Sequence, residues 1–269
     1  RQFHFYVKQK TAMKNNLINL IDQTYPNANT YFNSPPRSDG SQKWVDFVYT
    51  YWHVDCVRKM SLNSFVKHYQ NWCKQKKYIF NKSKAEEIYT QSTELVPVFP
   101  KNEITKRIIR QAIAQLNSTS ATVETIRILM NETASKLPEY PIVMQFKGIG
   151  PSFGPQLMAE SGDITRFTHK GALTAFAGVD PGVNESGSYA QKSVPTSKRG
   201  SSNLRKTLFQ VMDVLIKTMP QDDPVYQFMD RKRAQGKPYY VYMTAGANKF
   251  LRIYYGRVKE YLCILSESS

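Results

Sequence analysis

The sequence predicts a mainly α fold: a long antiparallel, coiled-coil-like helical hairpin carrying a helical insertion, followed by a compact, mostly helical domain that contains a helix-hairpin-helix. Three observations predict it. Residues 103 to 137 contain neither Pro nor Gly, and Ile109, Leu116, Val123, Met130 and Leu137 recur at every seventh position, which is the pattern of one long helix with an apolar seam. Two glycines in Gly148-Ile149-Gly150-Pro151 separate the short apolar segments Ile142-Val143-Met144 and Leu157-Met158-Ala159. No alternating run is long enough to require a substantial sheet.

Taken in order, residues 3 to 24 place Tyr6, Met13, Leu17, Leu20 and Ile21 between Lys and Asn residues, as in an amphipathic helix that Pro26 ends. Residues 27 to 40, with Ser34-Pro35-Pro36 and Ser38-Asp39-Gly40, read as an exposed loop. Residues 43 to 76 read as two short helices split near Ser61. Their aromatics Trp44, Phe47, Trp52, Phe65, Tyr69 and Trp72 are expected to pack on one another rather than to stack on bases. The companion seam positions of the long helix, Ala112, Thr119, Ile126 and Thr133, are only half apolar. That seam therefore suits pairing with the first helix inside the chain.

Beyond Pro138 glycine becomes concentrated between residues 148 and 200, so a domain boundary is expected near 138. In the second domain Ser202-Asn203 can cap a helix bearing Leu204, Leu208, Val211, Met212, Leu215 and Ile216. Asp223-Pro224 opens another that ends before Gly236, and residues 239 to 262 form a last helix. The expected organisation is a helix leading out of an absent N-terminal domain over 1–32, a helical insertion over 33–102, a long helix over 103–138 and a serine-bearing domain over 139–269.

Charge points to the partner. In 269 residues, 37 Lys and Arg face 21 Asp and Glu, a formal charge of +16, far beyond the need of solubility. A membrane-surface protein would want a Lys-rich amphipathic helix with a clean apolar face or a lipidation signal, and neither occurs. Nucleic acid is the preferred polyanion. Cys56, Cys73 and Cys263 form no close pair and have no His at ligand spacing, which argues against a disulfide scaffold and a zinc site. There is no apolar run of membrane-spanning length, and the start Arg1-Gln2-Phe3-His4 shows neither a signal peptide nor an initiator Met. A cytoplasmic protein supplied without its natural N-terminus is expected.

Four features could carry the chemistry. Gly148 and Gly150 allow a tight reversal, and the free amides that open the following helix could hold a backbone phosphate without reading sequence. Between Ser186 and Met212 there is no acid, whereas Lys192, Lys198, Arg199, Arg205 and Lys206 all fall there. Such clustered cations repel one another unless an anion lies among them. From Arg231 to Lys259 eight more basic residues occur without an acid, interleaved with Tyr239, Tyr240, Tyr242, Tyr254 and Tyr255, some of which belong in a core. Ser186 lies on a Gly-flanked loop beside this charge. A serine is a poor nucleophile without a base, metal or cations to stabilise its alkoxide, and in a glycine turn it is far more often a turn residue.

The ordered series Gly148-Ile149-Gly150-Pro151, Glu160-Ser161-Gly162-Asp163, Arg166-Phe167, Leu173-Thr174-Ala175-Phe176-Ala177-Gly178-Val179-Asp180-Pro181, Glu185-Ser186-Gly187, Ser197-Lys198-Arg199-Gly200 and Asn203-Leu204-Arg205 resembles the C-terminal domain of the insertion-sequence-110 transposases. That family includes the Piv-type DNA invertases and the bridge-RNA-guided recombinases. The resemblance covers residues 139 to 262, since Gly236-Lys237 and Asn248-Lys249-Phe250-Leu251 also fit. Residues 1 to 24 resemble more weakly the helix leaving the family's first domain, and residues 33 to 102 match nothing in it.

The resemblance implies that Ser186, in the Ser186-Gly187 pair, is the nucleophile that attacks a DNA phosphodiester, with Ser188 its nearest rival. It implies DNA as partner, a guide RNA in part of the family, and a homo-oligomer for the full-length protein. It also implies an N-terminal RuvC-like domain whose four acidic residues bind divalent metal, and that set cannot be placed here. Glu160, Asp163, Asp180 and Glu185 suit caps and turns better than a metal cage. The expectation is therefore no cofactor in this chain, Mg2+ only together with the RuvC-like domain, and little or no activity for this fragment alone. The alternative expectations are a non-catalytic DNA- or RNA-binding module and a subunit-pairing scaffold.

Overall fold

The computed structural model describes residues 1–180, 185–186, 189–190 and 196–267, with the backbone alone described at 185–186 and 189–190. The described residues are mainly α, as expected, and fall into two compact units, Arg1–Ile126 and Arg127–Ser269. No helix among them is long and apolar enough to cross a membrane.

In the first unit α1 (Gln2–Asp22) is followed by a 3-10 turn (Ala28–Thr30), α2 (Lys43–Thr50), α3 (Asp55–Arg58), α4 (Leu62–Gln75), α5 (Lys82–Glu94) and the first part of α6 (Glu103–Ala134). The split near Ser61 has a local cause. The Ser61 hydroxyl accepts from the Ser64 amide at 3.3 Å and caps α4, Asn81 caps α5 through the Lys84 amide at 3.0 Å, and Asn102 accepts from the Thr105 amide at 2.8 Å. Leu17 and Ile21 of α1 share one core with Ile109, Ile113 and Leu116 of α6, and Phe47, Phe65 and Trp72 belong to the same core. Residues 33–102 are thus packed together with the helices on either side of them.

The aromatics are core, as their density suggested. Phe47 is fully buried, with its ring centroid 4.8 Å from that of Tyr51 and 5.4 to 5.9 Å from those of Phe32, Tyr25, Tyr31 and Trp72. The tilted and edge-on rings are the arrangement that aromatic quadrupoles favour. Tyr25, also buried, keeps its hydroxyl satisfied 2.6 Å from Ser92 of α5. Along α6, Ile109, Leu116 and Val123 are buried and Leu137, past its end, is 44% exposed, so the heptad seam is covered over its first turns and open at its last position.

The second unit contains the end of α6, α7 (Tyr140–Val143), α8 (Phe153–Ser161), a 3-10 turn (Ile164–Arg166), α9 (Lys170–Ala177), the two-residue strands β1 (Glu185–Ser186) and β2 (Tyr189–Ala190), α10 (Ser202–Thr218), α11 (Pro224–Ala234) and α12 (Tyr239–Glu267). Helix α12 buries Met243, Ala247, Phe250, Leu251 and Tyr254 against α9, α10 and α11. Asp223 caps α11 through the Val225 and Tyr226 amides at 2.9 and 2.7 Å, with Pro224 in the first turn. The cap of α10 is Ser201, one residue before the pair read from the sequence. Tyr242, Tyr254 and Tyr255 are buried, whereas Tyr239 and Tyr240 are exposed.

His53 gives the first unit a pH dependence. The ring is 1% exposed; its Nδ1 accepts from the Asp55 amide at 3.0 Å, so Nε2 carries the proton and donates to the Phe99 carbonyl at 3.0 Å. Burial holds the imidazole below its ordinary pKa of 6.5, against the opposing pull of the Phe99 carbonyl and the Asp55 carboxylate. A histidine whose folded-state pKa is depressed contributes in full above the unfolded pKa, and that contribution is lost as the pH falls from about 6.5 toward the folded-state value. Thermal denaturation at pH 7.5 and pH 5.5 should therefore show a lower Tm at the acidic pH, and the drop should shrink in His53→Gln. An unchanged drop would assign it to other groups.

Candidate nucleic-acid interface

The site is built on the junction between α9 and α10. Gly178 ends α9 in the left-handed region at φ 66°, with its amide on the Ala175 carbonyl at 2.9 Å. Beyond it, Asp180 accepts from the Ser197 amide at 3.2 Å through its carbonyl and from the Ser197 hydroxyl at 2.7 Å through its carboxylate. The two ends of the segment that bears Ser186 are therefore tied together.

Gly200 lies so close to α9 that a Cβ there would overlap the Phe176 carbonyl and approach the Gly178 amide to 2.7 Å. The Ser201 amide donates to the Phe176 carbonyl at 2.7 Å, and its hydroxyl, while capping α10, also donates to Glu160 at 3.2 Å. Arg205 closes the junction by donating to the Ala177 carbonyl at 3.0 Å, which sets a cation against the negative end of α9. Lys198 takes φ 53°, an uncommon conformation for a residue with a Cβ.

This junction forms one wall of a groove of about 1570 Å3 in the second unit. Lys198 and α10's Arg205 and Lys206 stand on that wall; α11 brings Arg231 and Lys232, and α12 brings Lys249 and Arg252. Among the described residues no acidic side chain lines the groove. Like charges gathered in one concavity raise its positive potential and draw in polyanions. The floor is partly aromatic. Phe209 and Phe228 line it, the Lys232 and Lys249 ammonium groups lie 5.0 and 4.8 Å from the Phe228 centroid, and Tyr240 stands 73% exposed.

Of the residues expected from sequence, the fold brings Lys198, Arg205 and Lys206 together in this groove, and Arg199 is exposed beside them but off its wall. Lys192, Gly187 and Ser188 lie outside the described residues. Ser186 is described as backbone, paired with Tyr189 across the antiparallel register. Gly148 sits elsewhere in the unit: it turns at φ 77° against Leu215 and the Val211 carbonyl of α10, and a Cβ added at Gly150 would meet nothing within 4 Å. The helix before this turn is a single turn long, the Gly154 amide is taken by the Gly150 carbonyl at 2.9 Å, and Pro155 has no N–H. That leaves fewer free amides for a phosphate than the glycine pattern implied.

The sequence marks the run from Arg231 to Lys259 as basic and Tyr-rich but singles out none of Arg231, Lys232, Tyr240, Lys249 or Arg252 as a site residue. A signal was present in the last helix, where Tyr240, Thr244, Asn248 and Arg252 recur every four residues and so share one face. The acids are engaged in local structure: Glu160 with Ser201, Asp180 with Ser197, and Asp163 with the Thr165 amide and hydroxyl at 2.8 and 2.7 Å. Among the described residues no three His, Cys, Asp or Glu side chains gather as a metal-holding group.

The close approach at Gly200 is testable. Gly200→Ala should lower the stability of the second unit by roughly 1–3 kcal/mol, the usual cost of overpacking. Gly256→Ala, at a helical glycine with open space around it, should leave stability unchanged or raise it. Chemical denaturation of both variants would check this, and equal midpoints would refute the clamp.

Residues 140–227 match the family described as transposase IS116/IS110/IS902. The matched stretch runs from α7 into the first turn of α11 and includes the α9–α10 junction, Ser186, Lys198, Arg205 and Lys206. No curated protein matches the chain.

Proposed function

We propose that the second unit, whose residues 140–227 match the transposase IS116/IS110/IS902 family, binds DNA during transposition and supplies a serine nucleophile. The observation that carries the binding reading is the groove: seven cations from three helices and a loop, with no described carboxylate on its wall. A phosphodiester backbone carries charge complementary to this arrangement, and binding releases the ions condensed on the nucleic acid. An RNA guide presents the same phosphates, and we extend the proposal to it. We extend it also to a homo-oligomer, supported by the exposed apolar side chains of Ile128, Leu129 and Leu137 at the end of α6.

The serine assignment is supported by where its segment is rooted. Val179 precedes the Asp180–Ser197 tie, Thr196 and Lys198 flank it, and all three line the groove. In the proposed step the Ser186 oxygen bonds to phosphorus as one P–O bond of the strand breaks. The serine proton passes to a base, and the departing oxygen takes up a proton. Lys198 and Arg205 offset the charge that develops on the phosphate oxygens. The family resemblance assigns divalent metal to carboxylates of a RuvC-like domain, and no step is routed through it.

Two measurements test these readings. Fluorescence anisotropy with a duplex DNA at several salt concentrations should give, for Lys249→Ala/Arg252→Ala, weaker binding and a log–log salt slope smaller by about two, because each lost phosphate contact removes roughly 0.9. An unchanged slope would take those cations out of the interface. In a transposase that joins these residues to a RuvC-like domain, denaturation-resistant protein–DNA adducts should form and map to Ser186, and Ser186→Ala should abolish them while binding persists. Adducts that map to Ser188, or that survive in Ser186→Ala, would overturn the assignment.

A further inference from the structure

The first unit carries a second surface with nucleic-acid chemistry, on the outer side of α4. From Cys56 to Ala85 there are eight Lys and Arg residues and no acid. Five of them are paired with carboxylates: Arg58 and Lys59 with Asp55, Lys76 with Asp46, Lys82 with Glu86 and Lys84 with Glu87. Lys67, Lys74 and Lys77 have no ion pair among the described residues, and the first two lie on α4.

The helix is sharply two-sided. Phe65, Tyr69, Trp72 and Cys73 are buried in the aromatic core, while Asn63, Lys67, Gln70, Asn71 and Lys74 are all exposed. At 100° per residue these five lie within one stripe opposite the buried face. A helix that only met water would be expected to mix Glu with Lys at three- and four-residue spacing, which stabilises it. This face has no carboxylate. It carries two amide types that can pair bidentately with adenine and a cation type that reaches guanine or phosphate.

We propose that α4 is a DNA-reading helix that lies in the major groove of a duplex, with Asn63, Gln70 and Asn71 toward base edges and Lys67 and Lys74 on phosphates or guanine. Its 14 residues span about 21 Å, and a helix is about as wide as the B-form major groove. The A-form major groove of RNA is too deep and narrow for it, which selects duplex DNA. The helix is held stiffly enough to read: the Ser61 cap fixes one end, and the rings of Tyr69 and Trp72 stack at 5.4 Å beneath the proposed reading face.

The test is selection by the full chain from a duplex pool with a randomised 20-base-pair centre. Wild type should enrich a motif of a few base pairs. Asn63→Ala/Gln70→Ala/Asn71→Ala should lose that motif, with affinity for the selected duplex falling roughly tenfold per lost contact and affinity for the unselected pool nearly unchanged. Lys67→Ala/Lys74→Ala should weaken binding to both. All five positions are exposed, so circular dichroism should show wild-type helix content and exclude misfolding. Lys249→Ala/Arg252→Ala should keep the motif, which separates this surface from the groove. A motif unchanged in the triple variant, no enriched motif in wild type, or tighter binding to an RNA pool of the same length would overturn the proposal.

Discussion

The close approach of the Gly200 backbone to the Phe176 carbonyl organises the second unit. Only a residue without a Cβ can sit there, and because it does, Ser201 can cap α10 while its amide bonds the same carbonyl. The cap sets where α10 begins, and that start brings Arg205 to the end of α9 and Lys206 to the groove. The Asp180–Ser197 pair repeats the constraint one step further along the chain. The ends of the segment between Asp180 and Ser197 are thereby rooted on a fixed base.

Charge is distributed by the same logic in both units. Where cations support the fold, a carboxylate is near, as with Asp55 beneath Arg58 and Lys59. Where carboxylates are missing, the cations stand in a groove or along the outer face of α4. Like charges gathered on one surface repel, so their concentration on two surfaces favours an external anion. The groove offers phosphate binding with an aromatic floor, whereas α4 offers amides suited to base edges. Holding a strand and reading a sequence need these different chemistries.

Most helices were legible because their limits have local causes. Ser61, Asn81 and Asp223-Pro224 act through bonds to amides two or three residues away, so they can be read without knowing the fold. The aromatic core of the first unit was legible from density alone. The cap of α10 lies one residue before the pair read from the sequence, because Ser201 and Ser202 are both capping types and the choice falls to the contacts of Ser201 with Phe176 and Glu160. The glycine pair at 148 and 150 looked like a phosphate turn; packing of Gly148 on α10 and the loss of amides to Gly150 and Pro155 are not visible in its spacing.

The sequence by itself determined the helical class, most helix limits and the excess of positive charge. These rest on short-range capping, on periodicity and on composition. Only the tertiary structure decided that Lys249 and Arg252 of α12 and Arg231 and Lys232 of α11 stand in one groove with Arg205 and Lys206, and that the outer face of α4 lies open while its inner face is sealed. Which side of a helix is covered, and which distant cations become neighbours, is set by core packing between segments far apart in the chain, and no local pattern encodes it.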